Sequence, residues 1–105
     1  MCGLTGYLSS KNTLDPPEVL LSRMATAIAH RGPDDSGIWH DPDTGIGLAH
    51  LRLSIVDLSL AGHQPMHAAS GRYVMVFNGE IYNHGKLRTE LEINGQAPTW
   101  RGHSD

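Results

Sequence analysis

The sequence predicts a mixed α+β domain, with a strand and a helix followed by several strands and a second helix. Apolar residues recur at helical spacing in two segments, one starting after residue 15 and one after residue 83. Between them, short β-branched or aromatic runs alternate with turn residues, as expected for strands joined by loops. At 105 residues the chain is one domain or a piece of one, and no repeat or linker interrupts it.

The first two predicted elements are a strand and a helix. Residues 3–8 read as a short strand in which glycines allow close backbone approach. Asp15 is a suitable N-cap, Pro16 suits the first helical position and Glu18 falls at N3. The helix is expected to run to about Ala29, on apolar residues at helical spacing: Leu20, Met24, Ala27 and Ile28.

Loops and short strands are predicted next. Residues 30–37 are rich in turn residues, including Gly-Pro and Asp-Ser-Gly, and residues 38–40 are a candidate strand. A turn over residues 41–45 leads to further strand material in residues 46–50 and 53–56, on either side of one arginine. This part of the chain therefore predicts a small sheet.

The second half of the chain predicts one clear strand and the second helix. Residues 58–69 are expected to be irregular, whereas residues 72–77 are rich in β-branched and aromatic side chains and form the clearest strand. Asn78-Gly79 follows directly, a dipeptide typical of a tight hairpin turn. Asn83 can cap a helix that carries two leucines at helical spacing and ends near residues 94–95.

Composition and charge exclude several classes of function. Hydrophobic residues make up 39% of the chain and charged residues 18%, which is ordinary for a globular protein. A net charge of −3 and an isoelectric point near 6.1 provide no basic surface, so we expect neither a nucleic-acid nor a membrane partner. A homo-oligomer is compatible with these values. A single cysteine and no visible secretory signal predict a cytoplasmic protein.

Cys2 is the first candidate for chemistry. The thiolate form of cysteine is a nucleophile, and removal of Met1 would give Cys2 a free α-amino group that can act as its base. A mature N-terminal cysteine therefore combines nucleophile and base in one residue. The alternative is that position 2 simply holds a small residue behind Met1.

Three further places in the chain could bind a substrate. Arg52 lies between apolar runs, and its guanidinium could grip a carboxylate with two hydrogen bonds; the alternative is an edge-strand or surface arginine. The Asn78 amide and the Gly79 N–H could donate to a developing oxyanion, unless they form a plain hairpin turn. Asp105 could hold an ammonium group, or it is a solvated acid.

Motifs for metals and cofactors are missing from the sequence. The seven histidines show no ligand spacing, because Pro65 separates His63 from His67 and neither HExxH nor CxxC occurs. The sequence also lacks a GxxxxGK[ST] phosphate loop, a complete dinucleotide fingerprint and a GxSxG elbow. We therefore expect no metal and no cofactor in this chain.

Taken together and in this order, the candidate residues resemble the N-terminal glutaminase domain of the class II glutamine amidotransferases, which are N-terminal-nucleophile (Ntn) hydrolases. Asparagine-synthetase-like members resemble the sequence most. The matching segments are residues 2–6 (CGLTG), 30–34 (HRGPD), 50–57 (HLRLSIVD), 64–66 (QPM), 77–83 (FNGEIYN) and 104–105 (SD). The resemblance implies a four-layer α/β/β/α sandwich, of which residues 1–105 would be the N-terminal part.

The resemblance also implies a role for each matching residue. Cys2 corresponds to the nucleophile that attacks the side-chain amide of L-glutamine, with its own α-amine as base, and Asn78 and Gly79 correspond to the oxyanion hole. Arg52 corresponds to the clamp on the α-carboxylate of glutamine. The remaining residues expected at the glutamine pocket are Leu53, Ser54, Ile55 and Val56, with Glu80 and Asp105 at the α-ammonium end.

The remainder of such proteins supplies the implied partners. In this family the domain continues beyond the Ser-Asp segment, and a C-terminal synthetase domain binds ATP and Mg²⁺ and consumes the ammonia in an amidation. We expect residues 1–105 to be truncated relative to the family and to lack synthetase activity. Two alternatives are a glutamine-binding module without turnover and a glutaminase domain that serves a different acceptor.

Overall fold

A computed structural model describes residues 2–9, 16–54 and 59–100. Its strands and helices are β1 (Gly3–Leu8), α1 (Pro17–Ala27), β2 (Asp35–Asp41), β3 (Ile46–Arg52), β4 (Met66–His67), β5 (Val74–Met75) and α2 (His84–Ile93), with short 3₁₀ turns at Ala29–Arg31 and Leu60–Gly62. This order confirms the predicted α+β class, whereas the four-layer sandwich stays a prediction. In these ranges neither helix has the length and apolar character needed to cross a membrane.

The main sheet has three antiparallel strands in the order β1-β3-β2. Gly3 lies opposite Leu51 on one side of β3, and Asp35 lies opposite Arg52 on the other. β2 therefore begins three residues earlier than predicted, because pairing with β3 extends it into the turn-rich segment. β3 likewise continues through Arg52 instead of breaking there. Leu53, which was predicted to begin the next strand, is not in a strand.

Helix α1 covers one face of this sheet and contacts all three strands. Leu21 of α1 and Ala49 of β3 have no exposed surface, and Leu51 is 5% exposed. Ala49 and Leu51 share a face because side chains alternate along a strand, and His50 between them faces the opposite side. Burying a leucine such as Leu21 stabilises the fold by about 1.5–3 kcal/mol. The small core thus lies between α1 and β3.

The start of α1 differs from the prediction by one residue. Pro16 is the N-cap with extended backbone angles (φ −58°, ψ 146°), and Pro17 is the first helical residue. A proline disfavours the helical conformation in the residue before it, which keeps Pro16 out of the helix. Asp15, the predicted cap, lies outside the described residues. The helix ends at Ala27, two residues before the predicted end at Ala29. Ile28 is the C-cap, and Ala29 begins the 3₁₀ turn.

The segment after β3 contributes a second, two-stranded sheet. Met66 of β4 pairs with Met75 of β5, and the 3₁₀ turn and β4 give order to a stretch predicted as irregular. Only two residues of the predicted 72–77 strand are in β5. Phe77 leaves the ladder because its N–H donates instead to Oε1 of Gln64, at 2.6 Å.

Helix α2 begins and ends close to the predicted bounds. Asn83 is its N-cap, although the Asn83 side chain makes no capping hydrogen bond at its φ of −104° and ψ of 25°. Gly95 follows the C-cap with a φ of +67°, a left-handed conformation that glycine adopts without steric cost. The residues after Asn78-Gly79 lead into this helix and not into a strand, so the hairpin-turn alternative is wrong.

Candidate functional site

The thiol of Cys2 lies at the point where β1 begins and β3 ends. The antiparallel register of Gly3 with Leu51 brings Cys2 beside the residues that follow β3. The N–H of Leu53 donates to Sγ of Cys2 at 3.3 Å, and Sγ lies 3.7 Å from the Leu53 carbonyl oxygen. Cys2 is half-buried. The Leu53 N–H therefore fixes the sulfur beside the backbone that leaves β3.

Asn78 reaches the same place from the other end of the chain. Its Nδ2 donates to the carbonyl oxygen of Cys2 at 2.9 Å, across 76 positions of sequence. A primary amide has two N–H groups, so one donor of Asn78 serves this bond and the second can serve a substrate oxygen. Gly79 follows, and a Cβ there would lie 3.1 Å from the Phe77 ring. Two of the three predicted catalytic residues are therefore in contact, with the third adjacent.

Phe77 precedes Asn78 and is held by two side chains. Nε2 of Gln64 and Nε2 of His50 each lie 3.2 Å from the Phe77 carbonyl oxygen, while the Phe77 N–H donates to Gln64 Oε1. A carbonyl only accepts, so His50 carries its proton on Nε2. Burial lowers the pKa of His50, outweighing the Phe77 carbonyl and Asp35, which act in the opposite direction. The imidazole is therefore neutral near pH 7.

Arg52 is a buried residue at the end of the central strand, so the surface and edge-strand alternatives are both wrong. It is 8% exposed, and its guanidinium donates to the Ser59 carbonyl at 2.5 Å. Gly62 lies directly against the guanidinium, where a Cβ would come 2.7 Å from Cζ of Arg52. The 3₁₀ turn containing Gly62 therefore shapes the position of the charge.

Asp34 is a functional candidate to which the sequence reasoning assigned no role. Its carboxylate accepts the N–H of Ser54 at 2.8 Å, and its own N–H donates to the Arg52 carbonyl at 3.0 Å. The chain leaving β3 is thus fixed on both sides of Leu53. The only signal for Asp34 in the sequence was its place in the segment of residues 30–34 that matches the family.

The other predicted pocket residues are less informative. Glu80 is exposed and forms no ion pair with another described residue. Ile55, Val56 and Asp105 lie outside the described residues, so their predicted contacts with glutamine stay predictions. Within the described ranges, histidine, cysteine, aspartate and glutamate side chains form no group of three that could hold a metal ion.

Known proteins resemble this chain over most of its length. It is 43% identical over 98 residues to asparagine synthetase 1 (glutamine-hydrolysing) of Bacillus subtilis strain 168, a match covering 90% of the chain and 15% of that protein. It is 41% identical over 91 residues to a glutamine-hydrolysing asparagine synthetase of Triphysaria versicolor, covering 87% and 15%. It is 35% identical over 100 residues to amidase chry2 of Gibberella zeae strain PH-1, again covering 87% and 15%.

The chain therefore spans about 15% of the length of these curated relatives. The family described as the glutamine amidotransferase domain matches residues 1–105, which is every residue of the sequence. The predicted family resemblance is confirmed: this chain belongs to the glutamine amidotransferase domain family.

Proposed function

We propose that this chain is a glutaminase domain that hydrolyses L-glutamine to glutamate and ammonia through Cys2. One observation carries the proposal. The Cys2 thiol, the backbone leaving β3 and the Asn78 amide meet at one place, although Leu53 and Asn78 are 51 and 76 positions away from Cys2 in the sequence. A nucleophile and an oxyanion donor held side by side are what acyl transfer requires.

The first chemical step forms a bond between Cys2 and the substrate. After removal of Met1, the α-amine of Cys2 accepts the thiol proton, and Sγ attacks the side-chain amide carbon of glutamine. A C–S bond forms, and the amide oxygen takes up the negative charge. The free N–H of Asn78 Nδ2 and the N–H of Gly79 donate to this oxyanion.

The remaining steps release the two products. The tetrahedral intermediate collapses, the C–N bond breaks, and the α-ammonium group of Cys2 returns its proton to the leaving ammonia. Water then attacks the glutamyl thioester with the same α-amine as base, so that a C–O bond forms and the C–S bond breaks. Glutamate leaves, and the free thiol is restored.

Charges around the thiol select an amino acid. The guanidinium of Arg52 binds the α-carboxylate, and the backbone of residues 53–56 lines the pocket. Glu80 and Asp105 receive the α-ammonium group. Asp34 supports this pocket because it holds the N–H of Ser54 at 2.8 Å and so fixes the backbone beside the substrate.

In the whole protein, we propose that the ammonia passes to a synthetase domain that binds ATP and Mg²⁺ and amidates an acid in the cytoplasm, as an asparagine synthetase does with aspartate. The glutaminase domain would complete a four-layer sandwich beyond residue 105. A second candidate is that the same glutaminase domain serves an acceptor other than aspartate, since one relative at 35% identity, amidase chry2, is not named an asparagine synthetase.

The test measures the mass of the intact protein before and after treatment with a glutamine analogue that alkylates thiols. In this analogue the thiol displaces a leaving group from a saturated carbon. We expect a species without Met1 that gains one adduct on Cys2, while the analogue that is one methylene shorter reacts much more slowly. Cys2→Ala is expected to gain no adduct and to lose glutamate release, although it keeps the glutamine site. Glutamate release that persists in Cys2→Ala would refute the mechanism. Binding of glutamine without release by the wild-type protein would favour a binding module instead.

A further inference from the structure

The backbone of Phe77 is held by side chains and not by a strand ladder. Gln64 makes two of these bonds, since its Oε1 accepts the Phe77 N–H at 2.6 Å and its Nε2 donates to the Phe77 carbonyl at 3.2 Å. The Nε2 of His50 donates to the same carbonyl at 3.2 Å. We call this arrangement of His50, Gln64 and Phe77 the Phe77 clamp. It satisfies both backbone polar groups of one residue.

The clamp lies directly before the residue that reaches Cys2. β5 ends at Met75, so no ladder bond within the described sheet fixes the chain where Asn78 leaves it. Asn78 and Gly79 are both exposed, and neither is enclosed by packing. Their positions beside Cys2 therefore depend on where Phe77 is held. Small displacements matter here, because oxyanion donors act only at hydrogen-bond distance from the reacting oxygen.

The placement of His50 supports this interpretation. His50 is 1% exposed at the centre of the main sheet, and its Nδ1 is buried with no partner among the described residues. An unpaired buried nitrogen costs free energy that an apolar side chain would avoid. The one hydrogen bond that the His50 ring makes with another described residue goes to Phe77. A role for this bond in fixing Phe77, and with it Asn78, would explain why a histidine occupies this position.

We propose that His50 and Gln64 are positioning residues for oxyanion stabilisation, acting through Phe77 on Asn78 and Gly79. This inference rests on the proposed glutaminase function. The clamp connects the rigid centre of β3 to the segment before β4, so it fixes the two donors relative to the sheet that carries Cys2. Neither side chain needs to touch the substrate for this effect.

Gln64→Met removes all the Gln64 bonds at similar side-chain length. Gln96→Met is the matched control, because Gln96 is exposed in the turn after α2. His50→Phe removes the donor but keeps a ring, whereas His50→Gln places a donor near the position of Nε2. For each purified variant we would measure kcat and KM for glutamine hydrolysis, the rate of Cys2 alkylation and the melting temperature.

We expect Gln64→Met and His50→Phe to lower kcat by about 10- to 100-fold, with KM changed less than about two-fold. Alkylation by the analogue used above should keep its rate, because displacement at a saturated carbon forms no oxyanion. His50→Gln should recover most of the lost kcat, and Gln96→Met should match the wild type. A purely structural role would not separate kcat from alkylation in this way.

Two results would overturn the inference while leaving the proposed function intact. One is an unchanged kcat in Gln64→Met. The other is an equal fall of kcat and alkylation, which would show a general loss of the site. A wild-type protein that neither hydrolyses glutamine nor reacts at Cys2 would refute the proposed function, and the inference with it. If His50→Phe fails to fold, Gln64→Met and His50→Gln decide the question.

Discussion

A methyl group added at Gly62 should weaken glutamine binding by displacing Arg52. A Cβ built at Gly62 would lie 2.7 Å from Cζ and 3.1 Å from Nε of the Arg52 guanidinium. Carbon atoms do not approach this closely, so one of the two groups must move. The guanidinium is at the far end of a long side chain, whereas Gly62 is held in a 3₁₀ turn. We therefore expect Gly62→Ala to turn the guanidinium away from its present direction.

The size of the effect follows from the bond that is lost. A hydrogen bond to a charged group contributes about 1.5–3 kcal/mol net. If the turned guanidinium keeps one of its two hydrogen bonds to the α-carboxylate, the lost binding free energy is near the lower end of this range. A loss of about 1.4 kcal/mol corresponds to a ten-fold lower affinity. We expect the KM for glutamine to rise about ten-fold, with kcat changed less than about three-fold. The free energy of unfolding should also fall, by about 1.5–3 kcal/mol at most, because the turned guanidinium no longer donates to the Ser59 carbonyl.

Steady-state glutamate release measures both constants. Gly85→Ala is the matched control, because nothing lies within 4 Å of a Cβ at this position in α2. It should leave KM unchanged and stabilise the protein by about 0.4–1 kcal/mol. Combining Gly62→Ala with Arg52→Ala tests the route, since the double variant should be no worse than Arg52→Ala alone. A wild-type KM in Gly62→Ala, or additive losses in the double variant, would refute the reasoning.

Two further predictions concern Asp34 and His50. Asp34→Ala leaves the N–H of Ser54 without its acceptor, so it should raise the KM for glutamine several-fold and lower the free energy of unfolding by about 1 kcal/mol. Asp34→Asn keeps an acceptor oxygen and should restore most of the affinity and of the stability. Steady-state kinetics and chemical denaturation measure the two quantities, and equal losses in the two variants would contradict the prediction. Because burial lowers the pKa of His50, the unfolded chain binds its proton more readily than the native protein, and stability should fall as the pH drops below about 6.5. As the pH is lowered below about 6.5, the melting temperature of His50→Gln should fall less than that of the wild type. If the two proteins show the same dependence of melting temperature on pH, the buried imidazole is not neutral as argued.

Local sequence rules predicted the elements whose ends are set locally. β1 and α2 fall where the sequence placed them, because glycine, asparagine and apolar spacing act over a few residues. The predicted strand over residues 72–77 is mostly wrong for a different reason. Strand propensity describes how a residue fits a pleated surface, but the Gln64 side chain takes the N–H of Phe77 and ends the pairing after Met75. No rule based on neighbouring residues includes that bond.

The candidate site was predictable where its residues carry reactive groups. Cys2, Arg52 and Asn78 were candidates because a thiol, a cation between apolar runs and an amide after a strand can each take part in chemistry. Each also had an ordinary structural alternative, and their joint match to the family selected the functional interpretation. Asp34 and Gln64 matched the family but received no role, because each acts on a backbone group of another segment. Which backbone group a side chain contacts depends on the tertiary structure, so it cannot be predicted from the neighbouring residues in the sequence.

The register between β1 and β3 decides whether these residues form a site at all. Gly3 pairs with Leu51, which places the Cys2 sulfur at the N–H of Leu53. A slip of one residue would direct every side chain of β1 to the other face of the sheet and carry the thiol away from the β3 end. Gly3 opposes such a slip, because a Cβ at its place would lie 3.0 Å from Cβ of Arg31 and 3.2 Å from Cδ1 of Ile28, so a larger β1 side chain does not fit there. The packing that stabilises this sheet therefore also fixes the nucleophile, while the Phe77 clamp fixes the donors that face it.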